Sequence, residues 1–441
     1  MLEVPVVLSR IGKITIALAA LVTYGMAQEP AKKWKDQAEY DLVQAYGKET
    51  TPAGKLAKLD EWKQKYPTSD FADARLAEYL GVYQALNRPK DVFSTASEIL
   101  KADPNNFGAL SAMLGAVYQL GNPPAAADLD TAEKAASHLL ADGDTIFAPT
   151  KKPANVTDAQ WSGVKPQMQA FAQRTLGWIA LTRKDNAKAE TEFTKALQMN
   201  PNDGFVSHWL ASAILAQKDN QANPQKQLLA IFCYARAGSY TGAGALDAAT
   251  QKADLAFAAK AYATYHGSNQ GFDQLVATAK TNALPPGTFA VKNVIQLAQE
   301  KADADAAAAA ANPAGALWKT IKDGLTGDGS AAFWDQMKDT ELPGGANGVN
   351  TFKVKIVSMK PEMRPKELVV GFENTTTGDI TLKLDEALPG KMEPGSEIEI
   401  KGTAKAYSKD PYMLTLETDK DGIKGWTGKN PAAKKAAPKK Q

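Results

Sequence analysis

Residues 171–201 read FAQRTLGWIALTRKDNAKAETEFTKALQMNP, and this stretch decides the fold. Apolar and small side chains recur in it at three- and four-residue intervals, which predicts two amphipathic helices. Gly177 and Ala189 are small enough to let two antiparallel helices approach closely, and Phe193 fills the space between stacked pairs. Proline cannot continue a helix, so Pro201 marks the end of the second one.

Partial copies of the same phrase occur elsewhere in the chain. Leu80-Gly81 and Leu114-Gly115 repeat its first half, and Leu210-Ala211 stands 34 residues after Leu176-Gly177. A degenerate copy runs from Tyr262 to Pro285. On these residues the sequence resembles the tetratricopeptide repeat (TPR) family, whose unit is a helix–turn–helix of 34 residues. The resemblance implies a superhelical stack of about five or six helix pairs, since one pair cannot bury its apolar face alone.

An irregular all-helical domain is the alternative to a repeat stack, but it would not explain why the copies of the phrase agree in their residue spacing.

One stretch interrupts the helical periodicity. Residues 143–158 contain Pro149, Pro153 and the Lys151-Lys152 pair, and they predict a long loop inserted between helices.

The N-terminus has the pattern of a secretory signal peptide. Arg10 and Lys13 precede the apolar run from Ile14 to Tyr24, and Gly25-Met26-Ala27 offers small residues at a cleavage site. We therefore predict cleavage near Ala27 and a periplasmic or secreted protein. A membrane anchor that is not cleaved is the alternative, although the uncharged run is shorter than the ~20 residues of a spanning helix.

The hydrophobic period changes from 3.6 to 2 near Asn350. Before it, Ala-rich residues 301–311 predict a helix that stops at Asn312, followed by two short amphipathic helices. After it, five short strands are predicted, around Phe352–Ile356, Leu368–Phe372, Ile380–Leu384, Ile398–Ile400 and Met413–Leu416. Gly395–Gly402 and Asp410–Leu414 resemble segments of the oligonucleotide/oligosaccharide-binding (OB) barrel family.

The predicted fold class is therefore mainly α, with a TPR-like αα superhelix followed by a small antiparallel β-barrel or sandwich of OB-like type. The predicted domains are a signal peptide (1–27), helical repeats (28–300), a helical linker region (301–348), a β domain (349–427) and a basic tail (428–441). The tail carries lysines without acidic residues, so it predicts either contact with an anionic surface or a solubilising extension.

Residues with catalytic potential are few. The 441-residue chain has one cysteine, Cys233, and three histidines, His138, His208 and His266, and none of them has partners at metal-ligand spacing. No nucleophile elbow, zinc-protease, phosphate-loop or CxxC motif is present. We expect no enzymatic activity, no cofactor and no bound metal, and a net charge of +2 does not favour nucleic acid.

The TPR resemblance implies a binding surface on the concave face, which the first helix of each unit lines. Carried onto this sequence, the lining positions are Phe171, Arg174 and Trp178 in one unit and Phe205, His208 and Ser212 in the next. Aromatic residues beside an arginine are common in interface hot spots. The alternative is that the three aromatic residues only pack between helices.

Two hypotheses of function follow. The first is an exported scaffold or adaptor that binds a protein or peptide in the helical groove. The second makes the OB-like barrel the binding module for an oligosaccharide or nucleic acid, with Phe372, Tyr407 and Tyr412 as aromatic contacts.

Overall fold

A computed structural model describes residues 32–154, 156–219, 222–372 and 377–429. The chain divides into two compact units, Met1–Ile295 and Gln296–Gln441. The signal peptide predicted at 1–27 lies outside the described residues, and so does the basic tail beyond Lys429. Among the described residues, no helix has both the length and the apolar character of a transmembrane span.

Helices in consecutive antiparallel pairs build the described part of the first unit. Their bounds are α1 (Gln37–Lys48), α2 (Pro52–Lys65), α3 (Ala72–Ala85), α4 (Pro89–Ala102), α5 (Phe107–Ala116), α6 (Ala126–Ala141), α7 (Gly143–Ile146), α8 (Asp158–Thr182), α9 (Asn186–Met199), α10 (Gly204–Leu215), α11 (Pro224–Ser239), α12 (Ala248–His266) and α13 (Phe272–Thr281). The prolines mark the helix ends as predicted: α2, α4 and α9 each end two residues before one.

The pairs stack in the TPR-like order, which confirms the predicted fold class. We call α1, α3, α5, α8, α10 and α12 the first helices and their successors α2, α4, α6, α9, α11 and α13 the second helices. First helices contact one another from α3 to α5, α5 to α8 and α8 to α10. Leu210, Ala211 and Ile214 are fully buried, as their spacing from Leu176-Gly177 predicts.

The segment 143–158 is not the free loop that its prolines suggest. It contains the short helix α7 and a 3₁₀ turn at Pro149–Lys151. Ile146 and Phe147 are buried, and the Trp161 indole N–H donates to the Phe147 carbonyl over 3.1 Å. Apolar side chains therefore anchor the segment to the core beside α8.

The second unit is an α+β domain. Its helices are α15 (Pro313–Thr326) and α16 (Ser330–Met337), and α14 (Val294–Ala311) crosses the division between the units. Its strands are β1 (Glu341–Leu342), β2 (Phe352–Lys360), β3 (Glu367–Phe372), β4 (Ile380–Leu384), β5 (Glu397–Ile400), β6 (Gly402–Lys409), β7 (Tyr412–Thr418) and β8 (Ile423–Lys424). The Asn312 side chain accepts from the Gly315 N–H at 2.9 Å, which separates α14 from α15 as predicted.

The strands form one sheet in the order β1-β6-β7-β4-β3-β2-β5-β8. Strand β4 runs parallel to β7, and the other pairings are antiparallel. Lys401 alone separates β5, which pairs with β2, from β6, which pairs with β7. The sheet therefore curls back on itself in an OB-like, barrel-like arrangement.

Two short amphipathic helices supply part of the core of this sheet. Trp318, Ile321 and Leu325 of α15 are buried with the inward side chains of the strands. The Trp318 ring stacks on Phe372 with centroids 5.5 Å apart and meets Phe352 edge-on at 5.6 Å. The predicted linker segment 301–348 thus contributes α15 and α16 to the interior of the β unit.

The five predicted strands are all present, and three more join them in the described residues. Of the three, β1 and β8 have two residues each, too few for any alternation. Strand β6 reads GTAKAYSK and buries only Gly402 and Ala404. Without large inward side chains, β6 has no hydrophobic period to detect.

Candidate partner-binding surface

The predicted site residues lie together on the first helices. Phe171, Arg174 and Trp178 share one face of α8, because residues three and four apart lie on the same side of a helix. The same spacing places Phe205, His208 and Ser212 on one face of α10. All six side chains are half-buried.

Arg174 is the centre of this surface. Its guanidinium carbon lies 5.0 Å from the centroid of the Trp209 ring and 5.7 Å from those of Tyr118 and Phe205. One terminal nitrogen also bonds an Asp203 carboxylate oxygen at 3.0 Å. The side chains of this ion pair are only 14% and 12% exposed, so Arg174 is already neutralised. Cation–π contact strengthens when the partners are desolvated.

The Asp203 carboxylate has a second role, as the N-terminal cap of α10. Its other oxygen accepts from the Val206 N–H at 3.1 Å. The Arg174–Asp203 pair therefore joins the face of α8 to the start of α10. The Nε of Arg174 is buried and has no hydrogen-bond partner in the described structure.

Tyr118 completes the cluster from the turn that follows α5. Its ring centroid lies 4.6 Å from that of Trp178, 6.2 Å from Trp209 and 6.3 Å from Phe171. Its hydroxyl pairs with the Thr175 hydroxyl at 2.9 Å, and burial raises the pKa of the phenol. We name Tyr118, Phe171, Arg174, Trp178, Phe205 and Trp209 the aromatic cluster.

Polar and aromatic side chains extend this surface from α10 to α12. His208 Nδ1 lies 2.8 Å from an Asp254 carboxylate oxygen, and the Ser212 and Tyr234 hydroxyls are 2.9 Å apart. The Tyr234 ring packs against Phe257 with centroids 4.8 Å apart. Phe257 is 45% exposed, a large fraction for a phenylalanine.

The sequence reading missed Tyr118, Trp209, Tyr234 and Phe257. Trp209 stands four residues after Phe205, so helical spacing alone could have placed it on the same face. Tyr118 lies in a 3₁₀ turn beyond the end of α5, and Phe257 precedes the degenerate copy that begins at Tyr262. No periodic signal marks these two positions.

Packing explains part of the surface. Phe171, Trp178 and Trp209 contact the buried core of the first unit, yet none of them is itself buried. One part of each ring therefore packs between the helices, and another part is exposed to solvent.

We also searched the described residues for metal-binding groups and for a reactive thiol. They contain no group of three or more His, Cys, Asp or Glu that could hold a metal. Cys233 is buried, and burial raises the pKa of its thiol to about 12. A thiol that stays protonated is a poor nucleophile and a poor metal ligand.

The aromatic residues proposed for the β unit are used in packing. Phe372 is buried in the core, Tyr407 packs against Trp334 of α16 at 5.0 Å, and the Tyr412 ring contacts Trp318. Phe372 is therefore not accessible to a ligand, whereas Tyr407 and Tyr412 are half-buried and keep part of their surface exposed.

The outer surface of the β sheet carries mixed charge. Lysine stands opposite glutamate across neighbouring strands, as in Lys355–Glu397 and Lys383–Glu417. A groove of about 510 Å³ lies at this surface, and both Lys401 and Asp419 line it. Neither feature forms the continuous basic stripe with exposed rings that single-stranded nucleic acid requires.

Comparisons with known proteins add little. No protein-family model matches the sequence, and no curated protein matches it. Eight chains of solved structures match. One of them, from a structure titled "Functional Characterization of Pseudomonas Aeruginosa pilF", is 16% identical, covers 52% of this chain and 88% of its own, and has a TM-score of 0.26. Structural and sequence similarity this low supports no inference about function.

Proposed function

We propose that the protein is an exported, non-enzymatic scaffold whose helical repeats bind a protein or peptide through the first helices. The observation that carries the proposal is the set of half-buried and exposed side chains from Phe171 on α8 to Phe257 on α12. It joins three stacked helix pairs and combines large rings with hydrogen-bonding groups. Such residues supply most of the binding energy at protein interfaces.

The absence of a reaction centre is part of this proposal. The aromatic cluster has no nucleophile paired with a base, and His208 is oriented by Asp254 without a reactive group on its other nitrogen in the described contacts. A general base requires a proton donor within hydrogen-bond reach.

Export is proposed from residues 1–27. Expressed in a bacterial host from its own Met1, the protein is expected in the periplasm or the medium with Gln28 as its first residue. Mass spectrometry of the intact purified chain measures this. An intact N-terminus recovered with the membrane fraction would instead support the anchor.

Site-specific photocrosslinking tests the binding surface. Phe257 is replaced by p-benzoylphenylalanine in the full chain, and the control carries the same residue at Met199, which is 49% exposed on α9 and lies outside the aromatic cluster. We expect a discrete protein adduct from position 257 that position 199 does not give. Identical adducts at both positions, or none at position 257, would reject the surface.

No specific observation favours the OB-like barrel as the main binding module. Phe372 is buried, Tyr407 and Tyr412 pack against α16 and α15, and lysine stands opposite glutamate at Lys355–Glu397 and Lys383–Glu417. The barrel is left with a supporting role in this proposal.

A further inference from the structure

The charges around the aromatic cluster are already paired. Arg174 bonds Asp203, and His208 bonds Asp254, whose side chain is 7% exposed. A ligand carboxylate would have to displace Asp203 to reach the guanidinium. A ligand cation would have to compete with Arg174 for the same acid. Charge complementarity therefore selects an uncharged ligand.

The aromatic cluster also contains two N–H donors that have no acceptor in the described part of the protein. In the described structure, the indole N–H groups of Trp178 and Trp209 have no protein acceptor. Neither nitrogen is among the buried unpaired polar atoms, so both N–H groups are open to solvent. An indole nitrogen donates and does not accept. The surface therefore matches a ligand that offers acceptors.

A proline-rich segment has this complementary chemistry. Proline lacks a backbone N–H, so a proline run presents carbonyl acceptors and apolar rings. Its polyproline II conformation exists before binding, which lowers the entropic cost of docking, and aromatic-lined grooves are its usual receptors.

We propose that the aromatic cluster, with Tyr234 and Phe257, binds an uncharged proline-rich segment of a partner protein. The proline rings of this segment pack on Trp178, Trp209 and Phe257. The backbone carbonyl groups of the segment accept hydrogen bonds from the two indole N–H groups. This inference rests on the proposed function and specifies its ligand.

Fluorescence anisotropy with labelled ten-residue peptides tests the inference on the full chain. Decaproline is compared with decaglutamate, decalysine and a Gly-Ser peptide of equal length. We expect saturable binding of decaproline at least tenfold tighter than that of the other three. Preference for decaglutamate or decalysine would overturn the proposal, and so would equal binding of all four.

Three variants link the binding to the named side chains. Phe257→Ser removes an exposed ring and is expected to weaken decaproline binding by about fivefold, since a few aromatic anchors carry most of the energy of an interface. Trp209→Phe keeps a ring but removes the donor, and we expect a loss of similar size with an unchanged circular dichroism spectrum. Met199→Ser is the control and should bind like the wild type. Unchanged affinity in Phe257→Ser would contradict the proposal even if Trp209→Phe did not fold.

The two proposals fail in different ways. A crosslinked partner at position 257 together with no decaproline binding rejects the ligand class and keeps the scaffold. Loss of both signals rejects both.

Discussion

Gly177 shows how one residue sets the spacing of two helices. A Cβ atom at this position would lie 2.5 Å from Cδ1 of Phe193, far inside van der Waals contact. Phe193 is fully buried on α9, so its ring can move away only by displacing other core side chains. The close approach of α8 and α9 therefore depends on the missing side chain.

Gly177→Ala is expected to lower the free energy of unfolding by about 1–3 kcal/mol, the usual cost of overpacking a core. Chemical denaturation monitored by circular dichroism measures it. The matched control is Gly115→Ala, at the same place in the repeat phrase, where nothing lies within 4 Å of the added Cβ. That variant should be stabilised by about 0.5–1 kcal/mol, because alanine favours a helix over glycine. Equal changes in the free energy of unfolding at the two sites would contradict the packing role of Gly177.

Arg174 also acts at the scale of a single residue, because its substitution leaves the buried Asp203 charge without its ion-pair partner. Arg174→Ala is expected to destabilise the fold by about 2 kcal/mol, less than the ~3–5 kcal/mol for a fully buried pair, because the side chains keep some exposure to solvent and Asp203 keeps the Val206 N–H. Arg174→Met with Asp203→Asn should recover part of the loss. Lys319→Ala, in an exposed ion pair, is the control and should leave the stability nearly unchanged, because solvent screens that pair. A loss no larger than the control's would show that the pair contributes nothing.

At the scale of elements, Glu39 ties α1 to α2. Its carboxylate accepts from the Trp62 indole N–H at 2.8 Å and from the Lys35 backbone N–H at 2.7 Å. Burial raises its pKa, but these hydrogen bonds and one from Ser69 outweigh that effect, and the net pKa is lowered. The ionised form is therefore favoured in the folded state.

A lowered pKa in the folded state has a definite consequence for pH dependence. The stabilisation by Glu39 is present above the ordinary glutamate pKa of about 4.3 and is lost as pH falls through the lowered value. Glu39→Gln should be less stable than the wild type at pH 7, and the difference should shrink towards pH 3. Urea denaturation at both pH values measures it. A difference that stays constant with pH would show that the carboxylate charge plays no part.

At the scale of the whole molecule, the boundary of the β unit is decided by packing. Trp318, Ile321 and Leu325 are buried with the strands, although they lie before residue 349, where the strand pattern begins. A fragment of residues 312–441 is expected to unfold cooperatively in urea. A fragment of residues 349–441 lacks these side chains and should show no cooperative transition. Equal unfolding curves for the two fragments would show that α15 is dispensable.

The sequence predicted much of the fold because its signals are local. Helical periodicity, the prolines after α2, α4 and α9, and the alternation in β2 to β5 each need only a few neighbouring residues. The candidate site residues Phe171, Arg174 and Trp178 came from the resemblance to the TPR family, which implies the positions of each first helix that line the concave face. Tyr118 and Phe257 were not predicted, because contacts between helices that are distant in the sequence bury Tyr118 against Trp178 and leave Phe257 exposed.

The sequence by itself determined the stacked helix pairs, the change to strands near Asn350 and the faces of α8 and α10. The tertiary structure alone decided which glycine of the repeat phrase meets a neighbour, which strand runs parallel to β7, and that Arg174 is neutralised by Asp203. The physical reason is that periodicity records which face of an element is buried and does not record what it is buried against. Gly115 and Gly177 have the same local sequence role, and only the position of Phe193 tells them apart.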